Sequence, residues 1–369
     1  MTYSLLCITD RSDLPETELF IGLARSGVDI TVCCNPTGRH YHRLVKACVN
    51  TIELVIKSRF SVSAFRTISS ILDRKPYDIV YCFNNKAAAN ALFATRNRDI
   101  TVITYRGVDV NLSLVSPASL TTHLHPRVKK IICVCNAVRD YVNGLSFAGF
   151  TRREKRAVTI YKGHDLSWYN EKPADLSEFG ISEKSFVVGF AGRNRAQKGF
   201  FDLVDAASLL PADAPIFFLL LGRLAENKKL VERIAQSPCA RRIHLTGFRT
   251  DAPSIIAACD IFAAPSIGRE GLAKTVIEAM AHGVPPVATN VGGLLELVEH
   301  GVSGYIIPQK NPAALADAIF SLYCHPKERA RLGVGARERI RTHFNVARTV
   351  NEHRALFEEL TGPDLRTDL

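Results

Sequence analysis

The chain has 369 residues, of which 47% are hydrophobic and 22% are charged, so it can bury a substantial core in two or three domains. No stretch approaches the roughly 18 to 20 consecutive apolar residues that span a bilayer, and the first residues lack the basic region and small-residue cleavage site of a secretory signal, which favours a cytoplasmic globular protein. Residues 1–170 hold 23 Lys/Arg against 13 Asp/Glu, a difference of +10, whereas residues 171–369 hold 24 against 23, a difference of +1.

Short apolar runs alternate with helical patterns through the first half of the chain. Strands are predicted at residues 3–9, 28–34, 51–56, 78–83, 101–105, 130–135 and 158–161, with helices between them at residues 16–26, 61–75 and 85–95. Strands that alternate with helices indicate a parallel sheet with helices on both faces.

The polar residues 163–184 have little periodicity and are predicted to be a linker, after which the alternation restarts. Strands are predicted at residues 186–192, 216–222, 243–246, 261–264, 286–289 and 305–307, helices at residues 199–210, 228–236, 252–258 and 274–282, and a helical tail at residues 311–360. The pattern predicts an α/β protein with two Rossmann-like, doubly wound domains that face each other across a cleft. Ligands of such sheets bind outside the carboxyl ends of the strands.

The ten cysteines do not have the spacing of a metal site, because no C-x-x-C pair occurs. Several lie in apolar strand-like runs, namely Cys33, Cys34, Cys82, Cys133 and Cys135. They are predicted to be buried, reduced thiols, as expected in a reducing cytoplasm.

The segment 270–283, EGLAKTVIEAMAHG, follows a predicted strand and begins a helix. The free amides at the start of that helix, around Ala273 to Thr275, would face a diphosphate, where the helix dipole also favours anions. Glu278, about one turn further, could accept hydrogen bonds from ribose hydroxyls, and Glu270 from sugar hydroxyls. The alternative is that both are solvated helix glutamates.

The segment 189–199, GFAGRNRAQKG, places two cations five residues apart between a strand and a helix. Arg193 could bind phosphate in a bidentate manner, and Lys198 could add a point charge against a departing diphosphate. The alternative is an ordinary basic loop. No D-x-D occurs in the chain, and neither the G-x-G-x-x-G nor the P-loop fingerprint is present.

In order along the chain, these segments resemble family-4 retaining glycosyltransferases of the GT-B fold. The matching segments are GRNRAQKG (192–199), LLLGR (219–223), LTGF (245–248), Glu270 and Glu278 with seven residues between them, EAMAHGVPPVATNVGG (278–293), ELV (296–298) and HGVSGYIIP (300–308). The resemblance covers roughly residues 186–325 and is weaker in the first half of the chain.

The resemblance implies a role for each matching residue. Arg193 and Lys198 would hold the diphosphate, Glu270 the donor sugar, Glu278 the ribose, and the Phe248 region the base. The donor-binding turn would comprise Gly271, Leu272, Ala273, Lys274 and Thr275. The implied domains are residues 1–165 on the acceptor side, residues 166–345 on the donor side, and residues 346–369 as a helix that crosses back to the first domain.

Three departures from the family pattern concern the acceptor side and the phosphates. Residues 10–15, DRSDLP, replace the usual glycine pair after the first strand, and Arg106 stands where many members carry a histidine. Ala273 and Lys274 replace a common glycine and an apolar residue. Arg106 could contact phosphate or could be structural.

The predicted function is transfer of a hexose-type sugar from a nucleotide diphosphate-sugar to a glycan or lipid-linked acceptor, with retention of anomeric configuration and without metal or other cofactor. UDP-sugars are the first expectation and GDP-sugars the second, in the synthesis of cell-surface polysaccharide. The basic residues 39–46 and 150–156 predict contact with an anionic inner-membrane surface on its cytoplasmic face. Nucleic acid is not expected, because no basic-aromatic module is present.

Two other hypotheses about the function remain open at this point. One is a GT-B epimerase or phosphorylase, which acts without a separate acceptor. The other is a non-catalytic protein of this fold that binds polyanions or membranes.

Overall fold

The computed structural model describes residues 3–108, 111–147, 150–151, 155–268 and 270–362. The chain forms two compact units: the first runs to His164 and resumes at Phe344, and the second is Asp165–His343. Each unit is a parallel sheet covered by helices.

The first unit contains a seven-stranded parallel sheet in the order β3-β2-β1-β4-β5-β6-β9. Its strands are β1 Ser4–Ile8, β2 Asp29–Cys34, β3 Asn50–Glu53, β4 Ile79–Cys82, β5 Thr101–Arg106, β6 Val128–Cys133 and β9 Ala157–Thr159, and a separate hairpin pairs β7 Ser146–Phe147 with β8 Phe150–Thr151. Its helices are α1 Leu14–Arg25, α2 Tyr41–Lys46, α3 Val62–Arg74, α4 Asn85–Ala94, α5 Pro117–Leu120, α6 Asn136–Asn143 and α14 Val346–Thr361.

Alternation along the strands divides the core of this unit into two layers. Leu5 and Cys7 of β1 pack in one cluster with Phe357 of α14, while Leu6 and Ile8 pack on the opposite face. Successive side chains of a strand point to opposite faces, so a sheet that helices cover on both sides needs continuous apolar strands.

The second unit contains a six-stranded parallel sheet in the order β12-β11-β10-β13-β14-β15. Its strands are β10 Phe186–Ala191, β11 Ile216–Leu221, β12 Ile243–Gly247, β13 Ile261–Ala264, β14 Pro286–Thr289 and β15 Tyr305–Ile307. Its helices are α7 Phe200–Leu209, α8 Lys228–Gln236, α9 Ala252–Ala257, α10 Lys274–Ala281, α11 Leu294–Leu297, α12 Pro312–Cys324 and α13 Pro326–His343.

The α/β prediction is confirmed, and each predicted strand has a counterpart in one of the two sheets. The predicted helical tail is divided into α12, α13 and α14. The first break falls at Pro326, where α13 begins, because proline cannot continue a helix. The second falls at Asn345, whose side chain accepts from the amide of Arg348 and caps α14.

The prediction of buried thiols is confirmed. Eight of the ten cysteines are buried and all ten are free; Cys48 and Cys324 are exposed. Burial raises the pKa of Cys33 to about 12, so this thiol stays protonated at neutral pH. No described helix is both long enough and apolar enough to cross a membrane.

Candidate active site

The loop that follows β10 carries two of the predicted cations and is fixed by glycines. The amide of Gly192 donates to the carbonyl of Leu221 on β11 at 3.0 Å. Gly199 has a φ of +71°, and a Cβ there would lie 1.7 Å from the carbonyl oxygen of Pro265. Only glycine allows this approach, which places Lys198 against the segment that leaves β13.

Lys198 and Glu270 form an ion pair. The Nζ of Lys198 lies 2.8 Å from both Oε1 and Oε2 of Glu270, whose side chain is only 12% exposed. The hydroxyl of Ser266, a buried residue two positions after the end of β13, donates to Glu270 Oε2 at 3.1 Å. The carboxylate is therefore satisfied on both oxygens.

The backbone of Glu270 is held as well as its side chain. Its carbonyl accepts from the amide of Gly293 at 2.9 Å. Gly292, with a φ of +49°, approaches so closely that a Cβ would lie 2.1 Å from that carbonyl oxygen. The glycine pair after β14 thus fixes the loop that carries the carboxylate.

Helix α10 begins with amide groups that no side chain caps. Its N-cap is Ala273, preceded by buried Gly271 and half-buried Leu272. The amides of Lys274 and Thr275 have no acceptor among the described residues. Such a helix start favours an anion, because its N–H groups and the helix dipole point outward.

Glu278 lies one turn into α10 and pairs with Lys274 across 3.2 Å. Burial is the main cause that raises its pKa above the usual range, and the carboxylate of Glu171 adds to it, while Lys274 opposes the shift. The side chain of Glu278 is 12% exposed and that of Lys274 is 65% exposed. Hydroxyl groups that donate hydrogen bonds to a buried carboxylate of this kind stabilise its charged form.

A cavity of about 490 Å³ opens at the carboxyl end of β10 and β11. Its lining residues are Ala191, Gly192, Arg193, Asn194, Leu221, Gly222, Arg223, Glu226, Phe248, Arg249, Ala252 and Thr275. Thr275 reaches it because its hydroxyl donates to the carbonyl of Ala191 at 3.4 Å. Arg193 is exposed and forms no ion pair with any residue that the structure describes, and Phe248 is 71% exposed.

The structure therefore brings the predicted residues together in three groups. Arg193, Phe248 and Thr275 line one cavity; Lys198 pairs with Glu270; and Glu278 pairs with Lys274. Among the described residues, no group of three or more His, Cys, Asp or Glu side chains is placed to hold a metal ion.

Two family models together match most of the chain. Residues 17–168 match the model described as Glycosyltransferase Family 4, and residues 171–339 match the model described as Glycosyl transferases group 1. The chain belongs to glycosyltransferase family 4.

Individual relatives of this glycosyltransferase are distant. Spore coat protein SA of Bacillus subtilis is 28% identical over 241 residues, or 60% of this chain and 64% of that protein. The lipopolysaccharide core biosynthesis mannosyltransferase LpsB of Rhizobium meliloti is 33% identical over 215 residues, or 55% of this chain and 61% of LpsB. The chain thus spans just under two thirds of the length of both proteins.

The solved structures show that the fold of this glycosyltransferase is GT-B. HepE of Anabaena, solved in complex with UDP, has a TM-score of 0.75 and 23% identity, with 96% of this chain and 100% of HepE covered. HepE was also solved with UDP-glucose. At this identity the likeness concerns the fold alone.

Arg106 of the glycosyltransferase is a buried residue at the end of β5. Its Nε donates to the carbonyl of Val108 at 2.9 Å. His123 is also buried; burial lowers its pKa to about 3, and the charge of Arg106 contributes. Both the phosphate contact and the structural role predicted for Arg106 remain predictions.

In each of the two basic segments that suggested membrane contact, one arginine is engaged within the protein. Arg43 pairs with Glu18 at 2.6 Å. Arg156 is buried and donates to the carbonyls of His125, Pro126 and Val128. Residues 152–154 lie outside the described residues. Arg156 therefore holds loops together instead of facing a partner.

Sequence reasoning missed several residues of the site. Ser266 is a single serine after a strand, and the only available signal was its position at a carboxyl strand end. Arg223, Glu226 and Arg249 line the cavity without a motif that singles them out. Arg223 did fall within a segment that carries the family resemblance, LLLGR.

Proposed function

We propose that this family-4 enzyme transfers a hexose-type sugar from a nucleotide diphosphate-sugar to a glycan or lipid-linked acceptor, with retention and without metal. The observation that carries the proposal is the Lys198–Glu270 pair, in which Glu270 lies three residues before the uncapped start of α10 at Ala273. A cation that pairs with a carboxylate just before free helix amides suits a sugar joined to a diphosphate.

Positive groups of the protein neutralise the diphosphate in this proposal. Arg193 offers a planar fork and Lys198 a point charge, and the amides at Ala273 to Thr275 donate to phosphate oxygens. Together they stabilise the charge that develops as the glycosidic bond breaks. These groups support transfer that needs no divalent ion.

The remaining residues of the site bind the sugar, the ribose and the base of the donor. Glu270 accepts from hydroxyls of the sugar and orients it, while Glu278 accepts from the ribose hydroxyls. Phe248, exposed at the rim of the cavity, offers a flat apolar surface to the base. Carboxylates suit hydroxyl groups because each can accept two charge-assisted hydrogen bonds.

Retention follows from a substitution on one face of the sugar. The bond between the anomeric carbon and the phosphate oxygen breaks, and the acceptor oxygen bonds to the same face of that carbon. The proton of the acceptor passes to the departing phosphate oxygen. Glu270 holds the sugar while the oxocarbenium-like state forms, so the step needs no protein nucleophile.

UDP-sugars are the first donor candidates and GDP-sugars the second. The UDP and UDP-glucose complexes of HepE, a protein of the same fold, support the first choice. The name of LpsB, a lipopolysaccharide core biosynthesis mannosyltransferase, supports an acceptor in cell-surface polysaccharide synthesis. In this proposal the reaction takes place at the cytoplasmic face of the inner membrane. In this proposal residues 1–165 bind the acceptor and residues 166–345 bind the donor.

Thermal unfolding with a panel of nucleotides and nucleotide-sugars, in the presence of a chelator, tests the donor proposal. A ligand at 100 times its dissociation constant stabilises the folded state by about 2.7 kcal/mol. We expect one diphosphate to raise the unfolding temperature of the wild type, and Glu278→Ala to weaken that shift. Glu183→Ala, which removes an exposed glutamate, is the matched control.

Product analysis with the selected donor then tests transfer. A retained glycoside that forms only when acceptor is added supports the proposal. Turnover of the donor without acceptor would support an epimerase or phosphorylase instead. If no nucleotide shifts the wild type, the donor assignment is wrong.

A further inference from the structure

An exposed apolar surface with basic neighbours lies on the first unit, where α3 and α4 pack together. Three of its side chains are mostly exposed: Phe60 at 73%, Val62 at 66% and Phe93 at 52%. We name the surface formed by these three residues with Lys57, Arg59 and Arg96 the α3–α4 face. None of its residues belongs to the donor site described above.

The α3–α4 face is held in place by a buried amide. The Nδ2 of Asn90 donates to the carbonyls of Ser58 and Arg59 at 3.0 and 3.1 Å. Its Oδ1 accepts from the amide of Ser61 at 3.0 Å. Asn90 is only 2% exposed, so the loop that presents Phe60 is fastened to α4 at both ends.

Aromatic contacts continue the face along α4. The rings of Phe65 and Phe93 lie 4.7 Å apart. The guanidinium of Arg96 lies 4.5 Å from the centre of the Phe93 ring. The fixed backbone around Phe60 and the ring contacts of Phe93 present these side chains to solvent at little further entropic cost on binding.

The charges of the face have one sign. Residues 54–72 and 79–98, which contain all of its side chains, include six Lys/Arg and no Asp or Glu. Lys57, Arg59 and Arg96 are exposed and form no ion pair with any residue that the structure describes. The face thus combines apolar groups with unpaired cations, which complement an anionic surface that has an apolar layer beneath.

We propose that the α3–α4 face docks this enzyme on an anionic phospholipid surface. Phe60, Val62 and Phe93 would enter the boundary between headgroups and acyl chains, while Lys57, Arg59 and Arg96 remain among the phosphates. The inference deepens the proposed function, since it rests on an acceptor carried by lipid. It assigns the membrane contact to a surface other than residues 39–46 and 150–156.

Co-sedimentation with vesicles tests the proposal on the full chain. The vesicles are phosphatidylcholine alone or an equal mixture of phosphatidylcholine and phosphatidylglycerol, at low and at high salt. We expect binding to the mixed vesicles that weakens at high salt. Lys57→Gln with Arg59→Gln should weaken it about fivefold for each cation removed, and Phe60→Ser should weaken it about tenfold.

Matched variants of the second unit control for charge and hydrophobicity. Lys228→Gln with Lys229→Gln makes the same charge change, and Leu209→Ser removes another exposed apolar side chain. Both should bind like the wild type. Because every substitution is on the surface, unfolding temperatures should match, and Val62→Ser serves if Phe60→Ser does not fold.

The outcomes separate this inference from the donor proposal. Equal binding by the face variants and their controls, or no binding by the wild type, overturns it. Concentration-dependent dimers that Phe60→Ser abolishes would overturn it too, since the face would then join two copies of the chain. The thermal shift with nucleotide tests the donor proposal independently, and Phe60→Ser should leave that shift unchanged.

Discussion

At the scale of single residues, Lys198 and Glu270 form an ion pair with each other. A largely buried carboxylate needs a cation or hydrogen-bond donors, and Lys198 and Ser266 supply them. In the proposed reaction the same two side chains turn to different parts of the donor. The ion pair must therefore loosen when the diphosphate and the sugar arrive, and its strength sets part of the affinity.

Glu270→Gln should tighten the binding of UDP while it lowers transfer. The amide cannot hold the charge of Lys198, so the cation becomes available to the diphosphate; the loss of one charge-assisted contact corresponds to about tenfold in affinity. Transfer should fall because the amide accepts fewer hydrogen bonds from the sugar. Titration calorimetry with UDP and initial rates with the donor-sugar would measure the two effects.

A remote ion pair provides the control for this prediction. Glu299 pairs with Arg339 at 2.8 Å elsewhere in the second unit, so Glu299→Gln should leave both UDP affinity and rate unchanged. Weaker UDP binding by Glu270→Gln would mean that the carboxylate does not compete for Lys198.

The sequence predicts these residues as candidates for the site, but it does not predict their contacts. The order of the motifs indicates Lys198, Glu270 and Glu278, because phosphate and hydroxyl ligands require those side-chain types after particular strands. It does not indicate that Lys198 and Glu270 form an ion pair with each other. Arg156 was counted with a basic surface segment, although its acceptors are backbone carbonyls, which no sequence pattern displays.

At the scale of elements, the buried strands were predictable and the short or interrupted elements were not. A strand such as β4, buried at all four residues, appears in the sequence as an apolar run bounded by polar residues. The β7–β8 hairpin has two residues in each strand, too few for any period. The tail has continuous helical character, and only Pro326 and the capping Asn345 divide it.

The turn between β10 and α7 gives a test at this scale. Gly199→Ala should destabilise the second unit by about 2 to 5 kcal/mol, because a methyl group would collide with the Pro265 carbonyl in addition to the cost of positive φ. Gly180 has nearly the same φ, +68°, and open space around it, so Gly180→Ala should cost only about 1 to 2 kcal/mol. Urea unfolding of the two variants measures the difference. Equal losses in the free energy of unfolding would mean that the turn rearranges to accommodate the methyl group.

At the scale of the whole molecule, the chain builds two cores that are not consecutive in sequence. The first unit takes its last helix, α14, from the end of the chain, and Phe357 of that helix is fully buried against Leu5 and Cys7 of β1. The alternation of elements predicted two sheets. The alternation alone does not predict which sheet the final helix covers, because an apolar helix face suits either one; the family resemblance implies that it crosses back to the first domain.

One buried residue of α14 makes the stability of the first unit depend on pH. The Nδ1–H of His353 donates to the Thr349 carbonyl, and its Nε2 accepts from the Tyr81 hydroxyl, so the neutral ring is bound. Burial lowers its pKa from 6.5 to about 4. Between these values the unfolded chain binds a proton that the folded chain does not. This stability is therefore present above pH 6.5 and is lost as the pH falls towards 4.

We therefore expect two unfolding transitions, one that is sensitive to pH and one that is sensitive to UDP. Acidification from pH 7 to 4.5 should cost the first unit about 2 kcal/mol through His353, and His353→Gln should remove that part of the pH dependence. His42→Gln, at an exposed position of the same unit, is the control. UDP should raise only the other transition, because the proposed donor residues all lie in the second unit. Calorimetry that showed one transition, moved alike by UDP and by His353→Gln, would mean that the two cores unfold together.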